Sequence, residues 1–332
     1  MPSPITVALL GYGYAGRTFH TPLLRACPAL ALRYIGSSQK TQVVQDLGEH
    51  IVVKTDFLAL LNQPEVELVV IATPNASHFE LAKAALLAGK HVVVDKPFTL
   101  TYAQAQVLCE LAQKTQRLLS VFHNRRYDDD FLTLRRHLDT SHFGKPLALT
   151  SRFDRYRPEV KLRWREQAVP GAGLWYDLGP HLLDQALLLF GEPHSLTGKI
   201  SMHRRGAVVD DEFAVTLHYP SLTVALHASM LQKEPTPRFV LNASNGDWQC
   251  SGLDPQEAQL KAGMTPASPS WGYRAATEQQ GLAAGCYQQY YQQIATAIYG
   301  DSPNPVPAAE AARVMYWLEK AKTQLSMPSM LD

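Results

Sequence analysis

Lys96 stands at the end of a run of valines, in the stretch His91-Val-Val-Val-Asp95-Lys96-Pro97. A continuous β-branched run reads as a strand buried on both faces. Its charged end then falls at the carboxyl edge of a sheet, where open α/β sheets bind ligands. A lysine there is costly to bury. Desolvation weakens its hold on its proton, which suits proton transfer; a lysine that merely snorkels to solvent is the alternative. Asp177 and His181 form a second set. Four residues apart on a helical stretch, they share one face. An aspartate one turn from a histidine can orient the imidazole for general acid–base work. Alone, Asp-x-x-x-His reads as a surface ion pair or half a metal site; beside Lys96 and a nucleotide loop it reads as catalytic. The third set is Gly11-Tyr12-Gly13-Tyr14-Ala15-Gly16, the pattern GxGxxG. Its glycines allow a tight turn and close backbone approach, so that a pyrophosphate can sit on the following helix N-terminus.

The elements around these residues alternate. Ile5–Leu10 is an apolar strand, and the helix after the glycine loop ends near Ala26, with Pro22 kinking or restarting it. Leu30–Ile35 is a second strand. An NAD-preferring site carries an acid at its end for the ribose 2′-hydroxyl. Here the chain reads Gly36-Ser37-Ser38-Gln39-Lys40, with no acid between Gly16 and Asp46. Small hydroxyls followed by a cation suit a 2′-phosphate, which points to NADP with NAD as the other possibility; an ordinary polar loop is the plain alternative. Glu67–Ala72 is a strand ending in Thr73-Pro74-Asn75-Ala-Ser-His78, and the helix Phe79–Ala88 stops at Gly89. A helix over about Ala103–Gln116 and a strand over Leu118–Phe122 complete the pattern. This is α/β: a doubly wound parallel sheet of Rossmann type over residues 1–122.

Residues 123–332 read as a second α/β domain. Phe122-His-Asn124-Arg125-Arg126-Tyr127 crosses the boundary, its arginines suited to phosphate or substrate oxygens or to a helix-entry salt bridge. Asp128, Asp129 and Asp130 cap the helix Phe131–Leu138 rather than bind metal. A strand begins at Pro146 and leaves through Asp154, Arg155, Tyr156 and Arg157. A helix spans Leu174–Phe190 between Gly173 and Gly191. Phe213, Val215 and Leu217, then Val224, Leu226 and Ala228, alternate with smaller polar residues as an antiparallel meander with one apolar face. Its other face, with Thr216, His218, Thr223, Ala225, His227 and Ser229, is an open one that is solvated or pairs with another subunit. Residues 254–283 form a long excursion, and helices over Cys286–Tyr299 and Pro307–Leu325 close the chain.

Composition narrows the function. Lys+Arg total 31 and Asp+Glu 30, which gives no general attraction to nucleic acid or an anionic membrane. No apolar run reaches transmembrane length, and Met1-Pro-Ser-Pro lacks a signal peptide's basic region. The four cysteines, 27, 109, 250 and 286, form no CxxC pair, so no metal knuckle is expected and reduced, cytoplasmic thiols are the default.

GxGxxG near the N-terminus, ATPNxxH over 72–78, AGKHVVVDKP over 88–97, HNRR over 123–126 and Gly171-Ala-Gly-Leu-Trp-Tyr-Asp177-Leu-Gly-Pro-His181 resemble the Gfo/Idh/MocA oxidoreductases over nearly the whole chain. Asp95 replaces the commoner glutamate, and Ala172 interrupts a glycine run. The chain is most similar to the bacterial NADP-dependent scyllo-inositol dehydrogenases of that family and their uncharacterised relatives. The resemblance implies a Rossmann domain followed by an α/β domain with a largely antiparallel open sheet. It implies a nicotinamide-dependent dehydrogenase acting on CH–OH groups of a polyol, inositol or sugar, with Lys96, Asp177 and His181 catalytic. Cofactor contacts are then expected from residues 11–16, Ser37, Ser38, Lys40, Thr73, Pro74, Asn75, His78, Lys96, Pro97, Asn124, Arg125, Trp164 and Arg165. Substrate contacts are expected from Lys96, Arg155, Tyr156, Asp177 and His181, and a dimer or tetramer through the open sheet face. A nucleotide-binding sensor of the same fold without turnover is the other class to weigh.

Overall fold

A computed structural model describes residues 3–275, 279 and 281–325. The chain forms two compact units. The first holds residues up to Asp128 with Pro255–Tyr273 and Ala284–Ala312; the second holds Asp129–Asp254, Arg274–Ala283 and the residues from Arg313.

The first unit is built on six parallel strands: β1 (Ile5–Leu10), β2 (Leu30–Gly36), β3 (Val52–Lys54), β4 (Leu68–Ile71), β5 (His91–Asp95) and β6 (Leu119–Phe122), in the order β3-β2-β1-β4-β5-β6. Five helices connect them: α1 (Thr21–Arg25), α2 (Lys40–Leu47), α3 (Phe57–Leu61), α4 (His78–Leu87) and α5 (Tyr102–Thr115). All of β4 and the valines of β5 are fully buried. Each such valine contributes roughly 1.5–3 kcal/mol over an exposed one. This is why the apolar runs read correctly as central strands. β3 is the strand of this sheet that the sequence reading lacks, and that reading gives no bounds for α2 or α3. β3 has three residues, two of them exposed, so it offers no apolar run, and among the described residues it pairs only with β2. The chain order reverses between β1 and β4, which places the crevice at the carboxyl ends of those strands.

The segment after the glycine loop departs from one continuous helix. Gly16–His20 is a widened turn in which the Thr21 amide donates to the Gly16 carbonyl, and α1 then starts with Pro22 in its first turn. Proline there cannot donate to the preceding turn, and the widened turn directly before it is where the helix accommodates that loss. Thr101 caps α5, its hydroxyl accepting from the Gln104 amide.

The second unit begins with α6 (Asp129–Asp139), β7 (Pro146–Arg152) and α7 (Leu174–Phe190). Five more strands follow: β8 (Ser195–Ser201), β9 (Glu212–His218), β10 (Thr223–Ser229), β11 (Phe239–Ala243) and β12 (Gly246–Cys250). Their order is β12-β11-β7-β10-β9-β8; β7 and β10 run parallel and the remaining pairs antiparallel. The alternation in β9 and β10 buries Phe213, Val215, Leu217, Val224, Leu226 and Ala228 as expected. Trp175 of α7 lies edge-on to Phe213 at 4.8 Å, which fixes that helix to the sheet. The chain then contributes α8 (Gln256–Lys261) and α9 (Gln288–Tyr299) to the first unit, and ends in α10 (Ala308–Leu325). Among the described residues no helix is long and apolar enough to cross a membrane.

Candidate active site

In the first unit the glycine loop has a division of labour. Gly11 takes φ +97°, and a Cβ on it would lie 2.6 Å from the Ala72 carbonyl oxygen; one on Gly16 would collide with the Gly11 carbonyl oxygen. These two make the turn tight. A Cβ on Gly13 would meet nothing within 4 Å. That open ground at the turn is a cradle a side chain would fill, and it fits a dinucleotide pyrophosphate. The site residues present therefore suit the cofactor.

The tyrosines of this loop have fixed partners. The Tyr12 hydroxyl donates to Asp46 of α2 at 3.0 Å, and Asp46 also holds Arg17 at 2.8 Å. Burial, and then Asp46, push the Tyr12 phenol well above its ordinary value, so it stays a donor. The Tyr14 hydroxyl donates to Glu257 of α8 at 2.5 Å, with the Lys261 ammonium 5.2 Å from its ring centre. Glu257 also meets Arg125 at 3.5 Å, and Arg125 pairs with Asp128 at 3.0 Å. The sequence reading missed α8, whose residues lie more than 240 positions from Tyr14. Ala15 completes the loop.

At the end of β2, Ser37 is buried; its amide donates to the Lys54 carbonyl and its hydroxyl accepts from the Gln39 amide. Ser38 and Lys40 are exposed, and α2 has no acid in its first turn. At the end of β4, Thr73 and Pro74 open a turn containing the buried Asn75. Fully buried His78 holds that turn to the next, its ring nitrogens 2.9 Å from the Thr73 and Pro97 carbonyls. Burial lowers its affinity for a proton.

β5 delivers Asp95 and Lys96 as the valine run predicts. The Lys96–Pro97 peptide is cis. Asp95 Oδ1 accepts the Lys96 amide at 2.8 Å. After β6, Asn124 and Arg125 sit in a short turn, both buried.

In the second unit α7 carries Asp177 and His181. Its first turn is capped from outside. Asp210 accepts the Trp175 amide through its carboxylate at 2.6 Å and the Leu174 amide through its carbonyl at 2.8 Å; Lys322 of α10 holds the same carboxylate at 2.6 Å. Gly173 takes φ +97°, and a Cβ there would strike the Asp210 carboxylate. A glycine before the helix is thus required for this cap. Asp177 is half-buried and 3.5 Å from Arg165; His181 is 5 % exposed.

Trp164 and Arg165 form a short turn, the guanidinium 4.8 Å above the indole. Buried Glu166 anchors it, meeting the Lys161 amide at 2.9 Å, Arg163 at 2.6 Å and Arg204 at 3.2 Å. Burial drives the Glu166 carboxyl up, but these donors outweigh it and hold it below its usual range.

Of the residues expected at the substrate, Asp177, Arg155 and Tyr156 line two separate cavities of the second unit. Asp177 and Arg165 line a small cleft with Arg163, Arg204 and Asp210. Arg155 and Tyr156 line a cavity of about 280 Å³ with Arg152, Asp154, Lys233 and Thr236. Asp154 is its organising acid. It accepts from His227 at 2.7 Å, the Thr236 hydroxyl at 2.8 Å and the Ser229 amide at 3.1 Å. Burial raises its carboxyl, yet His227 and Thr236 leave it below the usual value. This His227–Asp154 pair spans 73 residues, beyond what residue spacing reveals. Among the described residues no cluster of His, Cys, Asp or Glu is fit to hold a metal. Asp129 and Asp130 instead face Arg274, which binds Asp129 at 2.5 Å.

A parallel sheet with reversed chain order, a glycine cradle and a lysine at the neighbouring strand end define a dinucleotide-binding oxidoreductase. The chain belongs to the Gfo/Idh/MocA oxidoreductase family: residues 5–123 match its NAD-binding Rossmann fold and residues 135–326 its C-terminal alpha/beta domain. It is 46% identical over 332 residues to the uncharacterized oxidoreductase YdgJ of Escherichia coli, covering 96% of both chains. It is 35% identical to the scyllo-inositol 2-dehydrogenase (NADP(+)) IolW of Bacillus subtilis, covering 96% of this chain and 92% of that one. The solved structure of the YPO2259 oxidoreductase from Yersinia pestis superposes with a TM-score of 0.92 at 45% identity, over 100% of this chain and 99% of that one.

Proposed function

We propose that this chain is an NADP-preferring dehydrogenase that interconverts a secondary alcohol and a ketone on a polyol, inositol or sugar. The observation that carries this is the acid-free end of β2, with Ser38 and Lys40 exposed on the same unit as the open Gly13 ground. A carboxylate there would repel a 2′-phosphate, whereas hydroxyls and an ammonium attract it. The similarity to an enzyme named for scyllo-inositol and NADP(+) supports the same reading.

The nicotinamide supplies hydride acceptance and donation. This chain's residues must hold the substrate and move the hydroxyl proton. We assign proton exchange to His181, assisted by Lys96, with Asp177 orienting the histidine or a substrate hydroxyl. Lys96 also stabilises the developing alkoxide charge. Arg155 and Tyr156 are the proposed donors to a hydroxylated substrate. The open face of the second sheet, with Thr216 and Ala225 at its centre, is the proposed surface for a second copy; light scattering at the monomer mass would count against it.

Absorbance at the reduced-nicotinamide band, with NADP and a panel of inositols, aldoses and sugar acids, tests the function. Turnover with at least one hydroxylated substrate is expected. The expected kcat/KM is higher for NADPH than for NADH; a clear NADH preference contradicts the 2′-phosphate reading.

A further inference from the structure

Behind Lys96 lies a buried polar chain that the proposed reaction does not use. His20, at the end of the turn after the glycine loop, is fully buried, and its ring rests on Phe122 with centroids 4.5 Å apart. Its Nδ1 is 2.6 Å from the Tyr291 hydroxyl of α9. Its Nε2 is buried without a hydrogen-bond partner and faces Asp95 Oδ2 at 3.8 Å, just beyond bonding reach. The other Asp95 oxygen is engaged by the Lys96 amide. A carboxylate facing Nε2 favours a proton there. The Tyr291 hydroxyl then donates into Nδ1, or accepts from it if the ring carries both protons. In either state Asp95 faces an N–H.

We propose that His20 is a positioning residue for Lys96: held by Tyr291, it offsets the Asp95 charge and so leaves Lys96 freer to give up its proton. This rests on the reading of Lys96 as a proton-exchange group. A carboxylate beside a lysine strengthens the lysine's hold on its proton. A donor or a cation at the far side of that carboxylate weakens the effect, and a base works best when its proton affinity suits the working pH. The sign is therefore the same whether His20 is neutral or charged.

The surroundings agree with an ionised Asp95. Burial pushes its carboxyl up, but His20 and the charges of Lys96 and His78 outweigh burial and leave it below the ordinary value. The groups that face it are His20 from the turn, Lys96 beside it, His78 from α4, and the phenols of Tyr290 and Tyr291 from α9. Burial holds both phenols protonated. His78 has both ring nitrogens on carbonyls, so His20 is the group with a nitrogen left for Asp95.

The test is competitive acetylation of the full-length protein with trace acetic anhydride across a pH series, reading the Lys96 peptide by mass spectrometry. His20→Leu is expected to lower Lys96 labelling about three- to tenfold at fixed pH, and Asp95→Asn to raise it by a similar factor, as a shift of up to about one pH unit requires. His20→Gln, which keeps a side-chain N–H, should stay within about twofold of the parent. A purely structural role would not move these two variants in opposite directions. A folded His20→Leu with an unmoved Lys96 profile, or with a shift in the same direction as Asp95→Asn, overturns the proposal. Where His20→Leu does not fold, Tyr291→Phe is read instead. It should lower labelling about twofold, and no fall overturns the proposal. Labelling needs no substrate. Normal turnover by Lys96→Ala would thus defeat the proton-exchange reading while leaving the labelling result standing.

Discussion

Lys96 stands out as a candidate because its context is local: three valines before Asp95 and Pro97 after it. His181 stands out for the same reason, four residues from Asp177. If these groups exchange the substrate proton, Lys96→Ala and His181→Ala each lower kcat about 10²- to 10⁴-fold, measured as initial rates at saturating cofactor. Near-normal turnover in both variants contradicts the assignment. What the sequence hid are contacts between distant positions: His20 with Tyr291, Tyr14 with Glu257, and Asp154 with His227. Asp154 supports a pH prediction. Its folded carboxyl is depressed, so its contribution to stability is present above the ordinary carboxylate range and is lost as pH falls through the folded value. Asp154→Asn should therefore cost about 1–3 kcal/mol in urea unfolding at neutral pH. The gap from the parent should narrow below about pH 4. A gap that is constant with pH would show that the carboxylate charge is irrelevant.

At the scale of elements, α7 is held at the correct start by groups outside it. Asp210 and Lys322 come from a loop and another helix, and no spacing rule in residues 171–190 points to them. Asp210→Ala should destabilise the protein by about 1–2 kcal/mol, the usual range for a lost cap, read as a lower urea midpoint. Gly173→Ala should also destabilise, through its positive φ and its collision with Asp210. An unchanged midpoint in Asp210→Ala would mean that α7 does not depend on the cap. The strands followed a simpler rule. Continuous apolar runs gave β1, β4 and β5, and alternation gave β9 and β10, because burial on two faces or one leaves those patterns. Three-residue β3, largely exposed, left no such trace.

At the scale of the whole molecule, the order of elements along the chain announced the two-part architecture, since alternating strands and helices followed by a meander admit few arrangements. The return of residues 255–273 and 284–312 to the nucleotide-binding unit was not legible. Residues 254–283 are rich in glycine, proline, glutamine and alanine and read as a long excursion, while the helix over Cys286–Tyr299 carries no mark of which unit it joins. The return matters for function because it brings Glu257 and Lys261 to Tyr14 of the glycine loop. The account as a whole rests on turnover with a nicotinamide cofactor. The most direct measurement is NADP reduction across the panel of inositols, aldoses and sugar acids, run in parallel on the parent protein and Lys96→Ala. Turnover of at least one hydroxylated substrate by the parent is expected, with a loss of about 10²-fold or more in the variant. Calorimetric NADP binding with no turnover of any member by the parent would contradict it.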